Sequence, residues 1–577
     1  MIRFQGENRW LLLDALAIVT GLVGGMGAVV FRRLAEGVHS LFFGPVLNAL
    51  PGGDEMQLFL PVLGGLVVGL LILRFAPEAK GEAVPALMET LHKRGGRIRP
   101  RTAPAILLAS AVTIGSGGSA GRESPIAQIG ASFGSLLGQR LRLTVTEVKI
   151  LAVSGFVAGL AGTFNAPLGS AIFGMEVVAR RFSLIDAVPL LLSAVIGAAT
   201  ASAFLGQSPV FTPPEIAFST QELWLCFLLG LALGVLSLLW VRLFIGAEGL
   251  FERLPLPAGL KPGLGGLVAG VSALYLLDYG VMGVGYDGVE RILSVASGPA
   301  GSDVFRLVLF LLALAAAKAL ATASTLGSGG CGGTIGPTLF VGVALGASFG
   351  LLFGHLVPAA EGHAPAYALL GAAAFLAGSA GAPLASVVLI SEMASDYALL
   401  PALMITSAAS YAVASIGLSG STIFTFQLLR RGVSLDSGEA LLERVLVRDA
   451  MAREVVSLGP ETTVREAMAR IFGENVRGFP VLEGGELAGI VTFDDLRNVP
   501  EERQDEVRVG EVAVKDVIVA FPDENMKNVM DRLYRNNVGR LPVVERDDPK
   551  KLVGIVTRTD AIAAYQVLSR EEAGRER

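Results

Sequence analysis

The sequence predicts an all-α polytopic membrane body of two inverted repeats, with broken and re-entrant helices, followed by a soluble α/β tail. Three observations carry this. The 577 residues are 52% hydrophobic and 17% charged, with a mean hydropathy of +0.61, which is too apolar for one soluble domain and long enough for several. The charges crowd into the stretch that begins at Glu443. A glycine-rich segment also occurs twice inside apolar sequence, first as Gly115-Ser116-Gly117-Gly118-Ser119-Ala120-Gly121-Arg122-Glu123-Ser124-Pro125. It returns as Gly327-Ser328-Gly329-Gly330-Cys331-Gly332-Gly333-Thr334-Ile335-Gly336-Pro337, with every glycine and the closing proline kept.

The duplication extends downstream. Gly130-Ala131-Ser132-Phe133-Gly134 matches Gly346-Ala347-Ser348-Phe349-Gly350, and Ala161–Leu168 matches Ala377–Leu384. Glu176 and Glu392 share the same spacing. Non-helical backbone survives at membrane depth only where it lines a protein cavity, because hydrocarbon offers its N–H groups no partner. Glycine lets backbone approach a ligand, and proline is tolerated in a first helical turn. A helix start aimed at a cavity presents free N–H groups and a positive dipole end, which attract an anion. Paired broken helices in two halves of a duplicated protein therefore point to a substrate site near the midplane. Close helix packing would account for the glycines. It would not account for Arg122 and Glu123.

In chain order, Met1 to Arg9 is short and polar, and no cleavable signal peptide follows. Leu11 to Val30 reads as the first membrane helix, closed by Arg32 and Arg33. Apolar blocks follow near 59–74, 104–114, 124–138, 148–161, 165–179 and 187–205. After a polar linker come blocks near 222–246, 262–277, 304–322, 337–357, 366–380, 382–394 and 397–417. Several fall short of the ~20 residues of a full crossing, so tilted and re-entrant helices are expected. The domain reading is a first membrane repeat over 1–206, a linker 207–221, a second repeat over 222–432 and a linker 433–446. Two soluble units over 447–500 and 508–568 complete it. Arg430-Arg431, just before the tail, argues for a cytoplasmic C-terminus. With an odd number of crossings per half, both termini share that side, and the expected location is the inner (plasma) membrane. Cys226 and Cys331 lie in apolar sequence and read as buried thiols. The net charge of −5 gives no sign of a nucleic-acid partner.

The tail is a repeat as well. Gly489–Leu496 and Gly554–Ala561 each read as a strand passing into a helix, preceded by the strand-like Gly478–Leu482 and Arg540–Val544. These units resemble a tandem pair of CBS domains. The resemblance implies that Thr492 and Asp495, then Thr557 and Asp560, hold the ribose and phosphate of ATP, ADP or AMP. A carboxylate accepts two ribose hydroxyls, and a hydroxyl at a helix start meets phosphate. A dimerising scaffold with Thr as helix cap is the competing reading. No other cofactor is called for.

Gly121-Arg122-Glu123-Ser124-Pro125 resembles the G-R-E-G-P signature of the CLC chloride channels and transporters. Gly332–Pro337 resembles that family's G-G-[IV]-F-A-P segment, and Gly81-Glu82-Ala83-Val84-Pro85 stands where G-S-G-I-P would be. The resemblance spans nearly the whole chain. It implies a homodimer in the lipid bilayer with one pore per subunit, gated by Glu123. The carboxylate would take the place of an anion when charged and release it when protonated. Arg122 would raise the local positive potential. Ser124, Glu82, Thr334, Ile335 and Phe424 would stand around the anion.

Departures from the family pattern are informative. The expected serine is Glu82, the central tyrosine is Phe424, and the inner proton-path glutamate is Val177. Ser124 replaces glycine and Ile335 replaces phenylalanine. Backbone N–H groups at Thr334 and Ile335 still suit an anion. Two roles are open to Glu82: facing the pore, where it competes with the anion and takes up protons, or facing the cytosol as a cap of its own helix. The function read from all this is transport of a small anion, chloride foremost, with proton coupling open and nucleotide-responsive regulation by the tail. A CBS-regulated cation transporter is the alternative from another class, together with a channel for a different anion. Glu123, Glu176 and Glu392 are too scattered for cation binding. An enzyme is not expected, since His39, His92, His355 and His363 form no metal spacing.

Overall fold

The computed structural model describes residues 8–75, 82–180, 183–206, 210–211, 222–298, 303–357, 360–430, 433, 442, 445–474 and 476–565. Gly81, most of the 207–221 linker and most of the 433–446 linker lie outside these. The chain divides into two compact units, Met1–Val433 and Ser434–Arg577.

The first unit is helical. Its first half contains α1 (Asn8–Leu41), α2 (Leu60–Phe75), α3 (Ala83–Lys93), α4 (Thr102–Gly115), α5 (Glu123–Arg140), α6 (Val145–Phe164), α7 (Pro167–Phe173) and α8 (Leu184–Leu205). The second half contains α9 (Leu223–Arg253), α10 (Lys261–Ser272), α11 (Tyr286–Ala296), α12 (Val304–Gly327), α13 (Ile335–Leu356), α14 (Ala364–Ala380), α15 (Pro383–Ala394), α16 (Leu400–Gly417) and α17 (Ile423–Arg430). Among the described residues, eight helices are long and apolar enough to cross a membrane. Shorter apolar helices, including Thr102–Gly115 and Pro383–Ala394, lie between them, as tilted and re-entrant segments require.

One boundary differs from the sequence reading. The first helix does not close at Arg32 and Arg33 but runs on to Leu41. Arg32 pairs with Glu36 one turn later at 3.0 Å, so the charge is met within the helix, where no proline interrupts the ladder. The amphipathic helix α11, with Asp287, Glu290 and Arg291 on a short stretch, falls in none of the apolar blocks.

Helix pairs α5–α6 and α13–α14 pack backbone to backbone. A side chain on Gly130 or Gly155 would overlap the other's carbonyl, and one on Gly346 would overlap the Tyr367 carbonyl. The glycines are therefore read as contact surface, in which only hydrogen fits.

The two halves are related by an internal two-fold, visible in reciprocal bonds. Glu176, in a π turn that continues α7, accepts from the N–H groups of Leu384 and Ala385 at the start of α15 (3.2 and 2.7 Å). Glu392, on α15, accepts from Leu168 and Gly169 at the start of α7 (3.1 and 2.7 Å). Each carboxylate fills the positive helix start of the other repeat. Glu392→Gln should keep the shape but weaken a charge-assisted pair of bonds. A loss of about 1–3 kcal/mol is expected, read as a lower melting temperature in detergent; an unchanged melt would remove the latch.

In the second unit, β1 (Gly478–Glu483) pairs antiparallel with β2 (Glu486–Thr492), and β3 (Arg540–Val544) with β4 (Leu552–Thr557). Helices α18 (Val464–Glu474) and α19 (Phe493–Arg497) accompany the first pair, and α20 (Met526–Arg535) the second. Phe479, Val481, Val491 and Leu496 sit in one core, and Leu541, Val543, Val556 and Ala561 hold corresponding places in the other. The repeat seen in the sequence is thus a repeat of packing.

Candidate functional site

The site is assembled where the duplicated glycine segments meet. Helices α4 and α12 each end in a tight turn, in which Gly118 N–H bonds the Thr113 carbonyl (2.8 Å) and Gly330 N–H bonds the Thr325 carbonyl (3.0 Å). Gly117 and Gly329 have φ of +98° and +109°, a left-handed backbone that a side chain would resist. Beyond the turns the segments cross. Ser119 N–H donates to Thr325 Oγ1 and Cys331 N–H to Thr113 Oγ1, both at 3.2 Å. Gly121 and Gly333 exchange N–H···O bonds of 2.7 and 2.8 Å. Two residues later α5 and α13 begin, so their positive ends converge on one buried place.

Two carboxylates occupy the start of α13. Glu123, 1% exposed, accepts from Gly336 N–H at 3.2 Å, and the Ile335 N–H also points at it. Glu82, 3% exposed, accepts from Thr334 N–H at 2.9 Å and from Thr334 Oγ1 at 2.7 Å. Glu82 stands at the cap position of α3 but makes no capping bond to that helix. Of the two roles open to Glu82, the cap of its own helix finds no bond here; the carboxylate caps α13 across the site. The α3 start is held instead by Ala83 N–H, which donates to Ser124 Oγ at 2.7 Å. Thr334 and Ile335, expected to offer their N–H groups to an anion, here offer them to carboxylate oxygens.

Phe424 is buried and meets Phe173 edge-on, with ring centroids 6.3 Å apart. Its helix reaches the site through Gln427, whose Nε2 donates to Glu82 Oε2 at 3.3 Å. Sequence reasoning missed Gln427, although its position one turn after Phe424 puts both on one face of α17. Arg122 turns to the ring of Tyr286, with its guanidinium carbon 4.8 Å from the centroid. Both line a cavity of about 200 Å³, with Arg32, Asn165, Asp287 and Glu290.

Lys318 was also missed. It is fully buried on α12, and its Nζ donates to the carbonyls of Gly280, Val281 and Gly283 at 3.0, 3.1 and 2.9 Å. A buried ammonium survives only with such partners. It gathers the glycine turn before α11 and holds it beside the first glycine segment, where Gly283 N–H bonds the Gly117 carbonyl at 3.2 Å. A lone lysine in an apolar block carries no spacing signal.

In the tail, the four expected residues pair with one another. Thr492 donates through N–H and Oγ1 to Asp495 (2.8 and 2.6 Å), and Thr557 does the same to Asp560 (2.7 and 2.8 Å). Both pairs close a strand-to-helix turn in the same way. Among the described residues, no three His, Cys, Asp or Glu side chains gather as a metal site would require.

Facing helix starts, crossed glycine segments and buried carboxylates in a duplicated apolar body define a membrane transport protein. The comparisons with known proteins agree. Residues 64–415 match the family described as voltage gated chloride channel, and residues 447–502 and 509–567 match CBS domains. The chain belongs to the voltage gated chloride channel, or CLC, family and carries a CBS pair. It is 32% identical to a ClcB-like protein of Ralstonia nicotianae, over 69% of this chain and 93% of that one. It is 28% identical to the H(+)/Cl(-) exchange transporter ClcA of Citrobacter koseri, over 76% and 92%. A slow cyanobacterial Cl-/H+ antiporter has the same fold, with a TM-score of 0.64 at 24% identity, over 74% of this chain and 99% of that structure.

Proposed function

We propose that the protein is a transporter, and not an enzyme, that carries chloride across the membrane in exchange for protons. The observation that carries this is the start of α13, whose first N–H groups are held by two buried carboxylates from different elements. Chloride reaches those N–H groups only when a carboxylate is displaced or protonated. A carboxyl group that gives up its N–H partners to an anion takes a proton with it, because an uncompensated charge in a low dielectric is costly. Glu123 is the gate, and Arg122 supplies positive potential nearby. Ser124 takes part indirectly, by fixing the start of α3.

The test is chloride flux from proteoliposomes with a pH electrode in the same vessel. Proton movement opposed to chloride is expected. Chloride flux without proton movement would make the protein a channel, and flux of cations alone would overturn the reading. We further place the protein in the inner (plasma) membrane as a homodimer with both termini cytoplasmic, in keeping with Arg430-Arg431 before the tail.

The tail is proposed to bind an adenosine nucleotide at Thr492 and Asp495 and at Thr557 and Asp560. Each Asp has a second carboxylate oxygen beyond the one that its Thr engages. Calorimetry on the full-length protein should detect ATP, ADP or AMP, and Asp495→Ala with Asp560→Ala should weaken binding by roughly 1–3 kcal/mol. Heat of binding with none of the three would leave the pair as a scaffold.

A further inference from the structure

Two buried polar atoms beside the gate make no hydrogen bond: Glu123 Oε2 and the Tyr286 hydroxyl. They border one gap. A methyl group placed on Gly336 would lie 3.4 Å from Glu123 Oε2 and 3.5 Å from Tyr286 Oη, in ordinary contact with both. Gly336 leaves that space open.

The hydroxyl is held there by its surroundings. Arg122 covers the Tyr286 ring, and Phe211 meets it edge-on at 6.3 Å. The backbone enters α11 through Gly285, at φ +97°, from the turn that Lys318 gathers. A tyrosine hydroxyl is both donor and acceptor, and one enclosed without a partner costs stability unless another state of the protein uses it. Glu123 Oε2 is a poor neighbour for a second anion but marks where one would sit. An anion that takes over the Glu123 position would accept the Gly336 N–H from one side and has a hydroxyl waiting at the other.

We infer that Tyr286 is the side-chain donor for the chloride ion that replaces the Glu123 carboxylate. The inference rests on the reading of Glu123 as a gate. It supplies, from a different element, the hydroxyl that Phe424 lacks. Gly336 is part of the same device, since its missing side chain makes room for the ion.

The experiment uses full-length protein in detergent, with chloride binding followed by calorimetry in a Glu123→Gln parent. Tyr286→Phe keeps the ring and its stacking on Arg122, so the melting temperature should hold. Chloride affinity should drop about tenfold, as for loss of one hydrogen bond to a charged group. Thiocyanate, a weaker acceptor, should lose less, a difference that a merely structural tyrosine would not produce. Gly336→Ala should also weaken chloride by filling the gap. Affinity within twofold of the parent in Tyr286→Phe would overturn the assignment. A Glu123→Gln parent that binds no chloride at all would instead sink the gate reading, and the Tyr286 role with it.

Discussion

Chloride flux through the Glu123→Gln protein should continue at or above the wild-type rate while losing its steep dependence on pH. The amide is the neutral mimic of a protonated carboxyl. It has no charge to hold it on the Gly336 N–H, so the start of α13 is vacated at every pH. In the wild type the direction is fixed by chemistry: as pH falls the carboxyl is protonated, its hold on the backbone weakens, and flux rises. The charged and titratable groups around it are Arg122, Lys318, Tyr286 and Glu82. Of these, Glu82 is the second carboxylate at the start of α13. Proton counter-transport should fall with the gate. A variant that kept the wild-type pH profile would remove Glu123 from gating.

Glu82→Ser, made in the Glu123→Gln background, should raise chloride affinity and flatten the acid dependence that remains. Thr334 N–H and Oγ1 both go to Glu82 now, and Gln427 adds a third donor. Removing the carboxylate returns these donors to the ion and deletes a like charge at close range. Two unit charges 4 Å apart interact by about 4 kcal/mol at an effective dielectric of ~20, so an affinity gain of at least about tenfold is expected after relaxation. Radiolabelled chloride binding across a pH series reads both effects. If affinity and pH response stay as in the single variant, Glu82 only braces α13.

Much of this site was legible in the sequence. The doubled glycine segments, with Arg122 and Thr334 at matched places and a proline closing each, declared two broken helix starts, since close packing accounts for the glycines but not for Arg122 and Glu123. What failed to show were residues whose role is set by distant backbone. Gln427 reads as an ordinary polar residue until α17 crosses Glu82, and Lys318 gains meaning only from three carbonyls in a turn far back in the chain. Tyr286 sits on a mixed-charge helix with no apolar run to draw notice. The direction of Glu82 was likewise undecidable from spacing, since its partner Thr334 belongs to the other repeat. Arg32 misled in the opposite way: a cation suggested a helix end, and Glu36 one turn on made it harmless.

The reciprocal latches between the repeats bear on how this protein can move. Carriers made of inverted repeats commonly change access by rocking one repeat against the other. Here Glu176 and Glu392 each clasp the opposite repeat, and Gly121 and Gly333 share a short two-stranded seam. A rocking motion would break these bonds together and part their donors from their acceptors. On the gate reading proposed for Glu123, the frame stays stiff and the working parts are side chains. Turnover should then depend only mildly on lipid thickness and viscosity, as befits a mechanism whose largest displacement is the length of a carboxylate arm.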